Sequence, residues 1–304
     1  MNAIRKQARP KRWSAPVKGY LFISPWLVGF FLLTLWPMVM SIYFSFTDYS
    51  LLEAPNWVGT SNYAKIFTDD KSFLNSLKAT TLFVFISVPA KLVFALFLAM
   101  VLNMKLRGMS LYRTIIYFPS IVGTSVAVSI LWSNIFGKDG LFNQFLSVFG
   151  VVGKNWIGLP ETALLTLITL ALWQFGSSMV IFLAGLKQIP PELYEAAAVD
   201  GASRRHTFFA ITLPMLSPII LFNLVLQTIG SFQMFTQAFI ITRGGPVEST
   251  YMFALYLFDK AFTRFQMGYA SALAWVLLVI IALATLVIFA ASTRWVHYES
   301  ERGK

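Results

Sequence analysis

The sequence predicts an all-α, polytopic membrane protein with six transmembrane helices and one polar helical loop between the fourth and the fifth. Three observations carry this. Only 12% of the residues are charged and 57% are hydrophobic, whereas soluble globular domains carry about 25% charged residues. The apolar residues gather into six runs, each reaching the roughly 20 residues needed to cross a hydrocarbon core about 30 Å thick. The lysines and arginines, which give a formal net charge of +11, divide unequally between alternate loops. In a soluble chain that charge would point to nucleic acid; in a membrane chain it reports orientation.

Residues 1–18 carry Arg5, Lys6, Arg9, Lys11, Arg12 and Lys18 and no acid. The apolar run that follows, 20–46, is longer than the 7–15 or so residues of a signal h-region, and no small-residue cleavage site closes it. It reads as a retained first span behind a basic tail at 1–19. Segment 48–76 is polar, with Asp48, Glu53, Asp69 and Asp70. Within it, Trp57, Tyr63, Ile66 and Phe67 fit either a short interfacial helix or a packed loop. The remaining spans are expected at 80–102, 113–136, 162–186, 219–242 and 268–292. Pro119 and Gly123 fall early in the third, and loops rich in Gly and aromatics occupy 137–161 and 243–267. Six spans put both termini on one side. With that side inside, the internal segments hold about 15 Lys and Arg and the external loops about 8, the bias expected of a cytoplasmic face.

The loop at about 187–218 is the most polar stretch of the C-terminal half. Pro190 and Pro191 suit a first helical turn, and Glu192 and Glu195 suit its positive end. Tyr194 to Val199 is a good helix-forming run, and Gly201 stands where a left-handed residue would close it. A second helical stretch is expected at 204–211, before Pro214 and Pro218 lead back into apolar sequence. Ala196, Ala197 and Ala198 give the first helix a face that another surface can approach closely.

These residues carry a resemblance. E-A-A-A-V-D-G-A, followed by Phe208, Ile211, Leu213, Pro214 and Pro218, resembles the EAA loop of ABC importer permeases, the coupling helix of that family. The resemblance makes Glu195, Ala196, Ala197, Asp200, Gly201, Ala202, Phe208 and Pro214 the contacts to a cytoplasmic ATPase. S-F-Q-M-F-T-Q-A-F-I-I-T-R-G-G-P-V-E-S-T and G-Y-A-S-A-L-A, with Asn56-Trp57-Val58-Gly59 and Arg113 before Tyr117-Phe118-Pro119, are similar to membrane subunits of carbohydrate importers of the maltose type. The implied fold is a type I importer permease, with the six-helix permease domain at 20–304. The implied partners are a second similar permease subunit, two ATPase subunits and an extracytoplasmic sugar-binding protein. The implied location is the cytoplasmic membrane of a bacterium or archaeon.

The chemistry that is missing agrees with this. There is no G-x-x-x-x-G-K-[ST], so any ATP and Mg belong to a partner, and no cofactor is expected in this chain. Cys is absent, which excludes disulfides and thiolate sites. The two histidines, His206 and His297, have no metal-like spacing, and no nucleophile–base set occurs, which weighs against an enzyme. No Asp or Glu falls within an assigned span, which weighs against a secondary transporter coupled through carboxylates. A permease for a non-sugar solute remains the nearest alternative.

For the pathway, Asn223, Gln227, Ser231, Met234 and Gln237 recur every three or four residues and would share one face of the fifth span. Amides suit sugar hydroxyls, and Trp173 or Phe235 offers an aromatic face. The competing reading is helix–helix hydrogen bonding, worth around 0.6 kcal/mol per bond in a membrane. Lys91 lies well inside the second span, where a charge costs roughly 2.5–3.5 kcal/mol on insertion scales. It either faces a water-filled cavity or extends its stem toward the interface.

Overall fold

The computed structural model describes residues 15–104, 108–123 and 125–297. Most of the basic tail, together with Lys105, Arg107, Arg302 and Lys304, lies outside them. The elements run in chain order as α1 (Ala15–Gly29), a π-helical turn (Phe30–Leu35), α2 (Trp36–Ser45), α3 (Ser61–Thr68), α4 (Lys71–Leu102), α5 (Met109–Val122) and α6 (Val126–Phe136). Then come α7 (Leu141–Val148), α8 (Pro160–Trp173), α9 (Gly176–Leu186), α10 (Pro191–Val199) and α11 (Arg204–Thr207). A second π turn (Phe208–Thr212), α12 (Leu213–Phe232), α13 (Thr236–Ile241), α14 (Phe253–Phe258), a third π turn (Asp259–Thr263) and α15 (Met267–Ser292) complete the chain. No β-strand forms among the described residues; Thr47 and Trp57, and Ser50 and Glu53, make only isolated bridges.

The architecture is organised around α4, which packs against α8, α9, α12 and α14. It begins at Lys71, nine residues before the predicted start at residue 80, because the Asp70 side chain accepts from the Phe73 N–H at 3.2 Å and caps it. It stops at Leu102, whose carbonyl accepts from Arg113 Nη2 at 2.9 Å and Nε at 3.2 Å. Its neighbours come close: a Cβ on Gly185 of α9 would lie 2.2 Å from Ile219 Cδ1 on α12. Glycine there sets the α9–α12 spacing.

Four helical stretches are long and apolar enough to cross a membrane: Gly19–Ser45, Lys71–Leu102, Arg204–Ile241 and Met267–Ser292. A fifth, α8 with α9, is bent by 42° at Gln174 and Phe175. Three predicted spans therefore differ from straight helices. The third divides into α5, which ends at Val122, and α6, which starts at Val126, the fourth at 174–175, and the fifth at 233–235. The first two breaks meet, with Gln174 Nε2 donating to the Gly123 carbonyl at 2.6 Å. Irregular backbone at membrane depth persists only where protein or a wet cavity satisfies it, and this hydrogen bond is such a case.

The stretch 204–218 also departs from expectation. Pro214 and Pro218 do not separate a loop helix from a span; the helix runs through both. Ahead of Pro214 the chain adopts a π turn, in which the Leu213 N–H reaches the Phe208 carbonyl, and such a bulge absorbs the local misfit. Pro218 has no N–H for the Pro214 carbonyl. Ser217 Oγ donates to that carbonyl instead, at 2.6 Å. The same Oγ accepts from the His297 N–H at 2.9 Å, which ties the residues after α15 to α12.

Helices also occupy parts of the segments expected as loops. Of the two readings of segment 48–76, it takes the helical form in α3, and Asn62 Nδ2 donates to the Ser45 and Thr47 carbonyls at 2.9 and 2.8 Å. The 243–267 segment folds back on the start of α4. Glu248 accepts from Ser72 Oγ at 3.0 Å and Asn75 Nδ2 at 2.7 Å, and the Phe253 N–H donates to Thr80 Oγ1 at 2.8 Å. At its centre, Tyr256 and Tyr269 both donate hydroxyls to Asp70, with the Lys260 ammonium 3.7 Å from the same oxygen. Burial raises the Asp70 carboxyl, but the two tyrosine hydroxyls, the Phe73 N–H and Lys260 outweigh it and hold it below its ordinary value. Burial pushes the Lys260 ammonium down from its ordinary value.

Candidate functional site

The elbow at α10 is built from its caps. Pro190 precedes α10, Pro191 occupies its first turn and Glu192 lies beside its positive end. At the other end Gly201 takes φ +69°. The Ala202 N–H bonds the Ala197 carbonyl at 2.9 Å and the Gly201 N–H bonds the Ala198 carbonyl at 3.2 Å. This is the pair of bonds of a Schellman cap, which needs a left-handed residue between them. Ser203 then opens the next helix, its hydroxyl accepting from the His206 N–H at 3.2 Å. Four residues, 200–203, thus join the end of α10 to the start of α11.

Of the residues singled out in this loop, Glu195, Ala196, Asp200 and Gly201 are exposed, and Ala197, Ala202, Phe208 and Pro214 are half-buried. The body side of α10 is held by Tyr194, whose hydroxyl lies 3.1 Å from Thr212 Oγ1. Tyr194, Ala198, Ala202, Arg204, Phe208 and Met100 line a concavity of about 310 Å³ beside the elbow. The outward side carries Val199, which is 87% exposed. Attention to charge and small residues in the sequence passed over this apolar knob, although its place between the alanines and Gly201 marks it.

The second feature is a cavity of about 290 Å³ between α4, the α8–α9 break and the α12–α13 break. Gln227, Ser231, Met234 and Gln237 line it, as the helical spacing led one to expect of a shared face. The face is not one continuous helix, because 233–235 is irregular and Gln237 belongs to α13. Asn223 and Trp173 are not among the lining residues. Asn223 is fully buried and donates to the Ile219 carbonyl at 3.3 Å, while its Oδ1 has no partner among the described residues. Trp173 packs against Trp132 with the rings tilted by 36° and their centroids 5.9 Å apart.

Four polar lining residues were absent from the predicted stripe: Gln174, Gln233, Thr236 and Lys91. Gln174 and Gln233 stand at the helix breaks, which apolar run length does not reveal. Among the described residues, the side chains of Gln227, Gln233 and Gln237 line this cavity and make no hydrogen bond.

Comparison with known proteins identifies the family. Residues 71–297 match the family model described as binding-protein-dependent transport system inner membrane component. The chain is 54% identical over 286 residues to the probable ABC transporter permease protein YesP of Bacillus subtilis, covering 93% of each chain. It is 33% identical to the lactose transport system permease protein LacF of Rhizobium radiobacter, covering 91% of this chain and 94% of that one. The fold also matches a chain of a bacterial alginate ABC transporter solved with an alginate pentasaccharide-bound periplasmic protein, with a TM-score of 0.81, 22% identity and coverage of 91% and 94%. These relatives are transport permeases rather than enzymes. The chain belongs to the inner-membrane permease subunits of binding-protein-dependent ABC transporters.

Proposed function

We propose that this chain forms half of the translocation pathway of an ATP-driven importer for a sugar or oligosaccharide. One observation carries the reading: the helical stretch Arg204–Ile241 starts at the exposed elbow and reaches the free amides of the cavity. An element that can be pushed by an ATPase at one end therefore borders the cargo at the other. The elbow, through Glu195, Ala196, Ala197, Asp200, Gly201 and Ala202, seats against a separate ATPase subunit that holds ATP and Mg. The family's dependence on a binding protein supports an extracytoplasmic partner that delivers cargo, and a second, homologous permease closes the other half of the path.

In this arrangement α5 and α6 supply the sixth span, both termini lie in the cytoplasm, and 20–304 acts as one permease domain. The relative named for lactose supports a saccharide cargo. Amides on a half-exposed wall suit hydroxyl-rich guests, because each offers both a donor and an acceptor. The test is the complete importer reconstituted with its binding protein and supplied with panels of saccharides, amino acids and inorganic ions. ATP-dependent uptake of at least one saccharide is expected; uptake confined to the other two classes overturns the sugar reading.

A further inference from the structure

Among the described residues, Lys91 is the one charged residue lining the cavity. It stands on α4, 20 residues or about 30 Å from Lys71 and 11 residues or about 16 Å from Leu102, at 1.5 Å per residue. That is too deep for its stem to reach either end of the helix. No carboxylate among the described residues lines the cavity. Among the described residues Lys91 makes no hydrogen bond, and the ion pairs are Lys260–Asp70 and Arg264–Asp259. An ammonium at this depth costs roughly 2.5–3.5 kcal/mol on insertion scales, and intramembrane charges of this kind mark cargo paths. Neutral hydroxyls do not require it, since Gln227, Gln233, Gln237 and Ser231 already supply donors and acceptors there.

We propose, resting on the sugar-importer reading above, that Lys91 recognises an anionic group on the cargo, so that the transported saccharide carries a carboxylate or a comparable anionic oxygen group. The ammonium serves as a point charge with three donors, and a charge-assisted hydrogen bond is roughly twice as strong as a neutral one. The neighbouring amides hold the hydroxyls of the same sugar. The lysine thereby separates acidic from neutral saccharides of equal size inside the membrane, after the binding protein has made its own selection.

The experiment uses the complete importer in proteoliposomes with ATP at the ATPase face. The probes are uronate disaccharides, the same disaccharides with their carboxyls reduced to alcohols, and sulfated disaccharides. Wild type is expected to accumulate an anionic member over its neutral twin. Lys91→Met should lower that uptake at least tenfold in a complex that purifies with unchanged subunit ratio, and Lys91→Arg should restore a large part of it. Uptake of the sulfated probes alone supports anion recognition and assigns the source to a sulfate. Uptake of the neutral twins alone, or anionic uptake unchanged in Lys91→Met, overturns the proposal and leaves the sugar reading standing. No uptake of any saccharide removes both.

Discussion

Where α4 begins, Asp70 gathers two tyrosine hydroxyls and an ammonium, and Glu248 gathers Ser72 and Asn75. Where α4 ends, one side-chain hydrogen bond among the described residues, Tyr194 to Thr212, ties the elbow to the body. The first end has a buried polar network whose members share acceptors, and such networks fix one arrangement. The second end has a well-capped helix with no fully buried residue. A helix whose own geometry is set by caps, but whose attachment is sparse, keeps its shape while its angle to the body changes. The contrast separates an end held by a buried polar network from an end held by its caps and a single tether.

Three substitutions break or sharpen that contrast, in order of size. Asp70→Ala removes the acceptor shared by Tyr256, Tyr269 and Lys260 and leaves a partly buried ammonium unpaired, a loss of about 3 kcal/mol on the scale of broken buried pairs. A clear drop in thermal midpoint in detergent is expected, and a drop no larger than that of the elbow variants below would erase the distinction between the ends. The same carboxyl gives a pH dependence. Its folded-state value lies below its ordinary one, so its contribution is complete above the ordinary carboxylate range and is lost as pH falls through the folded value. The protection of α14 amides, corrected for their intrinsic exchange rate at each pH, should therefore fall on acidification in wild type, and Asp70→Ala should remove that dependence.

Gly201→Val is the intermediate case. A Cβ at Gly201 meets nothing within 4 Å, so the cost is the left-handed backbone alone, of order 1–2 kcal/mol. The protein should still insert and assemble its helices. Cargo-stimulated ATP hydrolysis in the reconstituted complex should be lost, because the α10 axis is fixed by this turn; normal turnover would show that the elbow is not what the ATPase moves. Tyr194→Phe is the smallest, with about 1 kcal/mol for one net hydrogen bond. It should loosen α10 without altering its caps. Its readout is faster hydrogen exchange within α10 at near-normal thermal stability.

The sequence made the elbow legible because its determinants are local. Pro190, Pro191, Glu192 and Gly201 each act within a turn of their own position, and the Schellman cap at Gly201 is where the residue types place it. The membrane character was legible for the same reason, as run length is a local property. The helix breaks were not. The breaks at Gly123, 174–175 and 233–235 lie inside apolar runs, and the bond that joins the first two, Gln174 to the Gly123 carbonyl, spans distant parts of the chain. The Asp70 network was equally hidden, since its members are separated by about 190 residues of sequence. Pro214 and Pro218 misled in the opposite direction: a π turn and Ser217 repaired the helix they should have ended.

The uninterrupted helix through residues 204–232 has a mechanical consequence. It is a rod about 40 Å long, so a tilt of about 5° at the elbow displaces its far end by 3–4 Å, comparable to the width of a water molecule. Ser231 rides on that far end and Gln227 a turn before it, while Lys91 rides on a different rod, α4. A modest rotation of the elbow therefore changes the distance between the lysine and the amides by about the length of a hydrogen bond. Affinity for whatever spans them can rise and fall within one stroke, with no helix needing to melt.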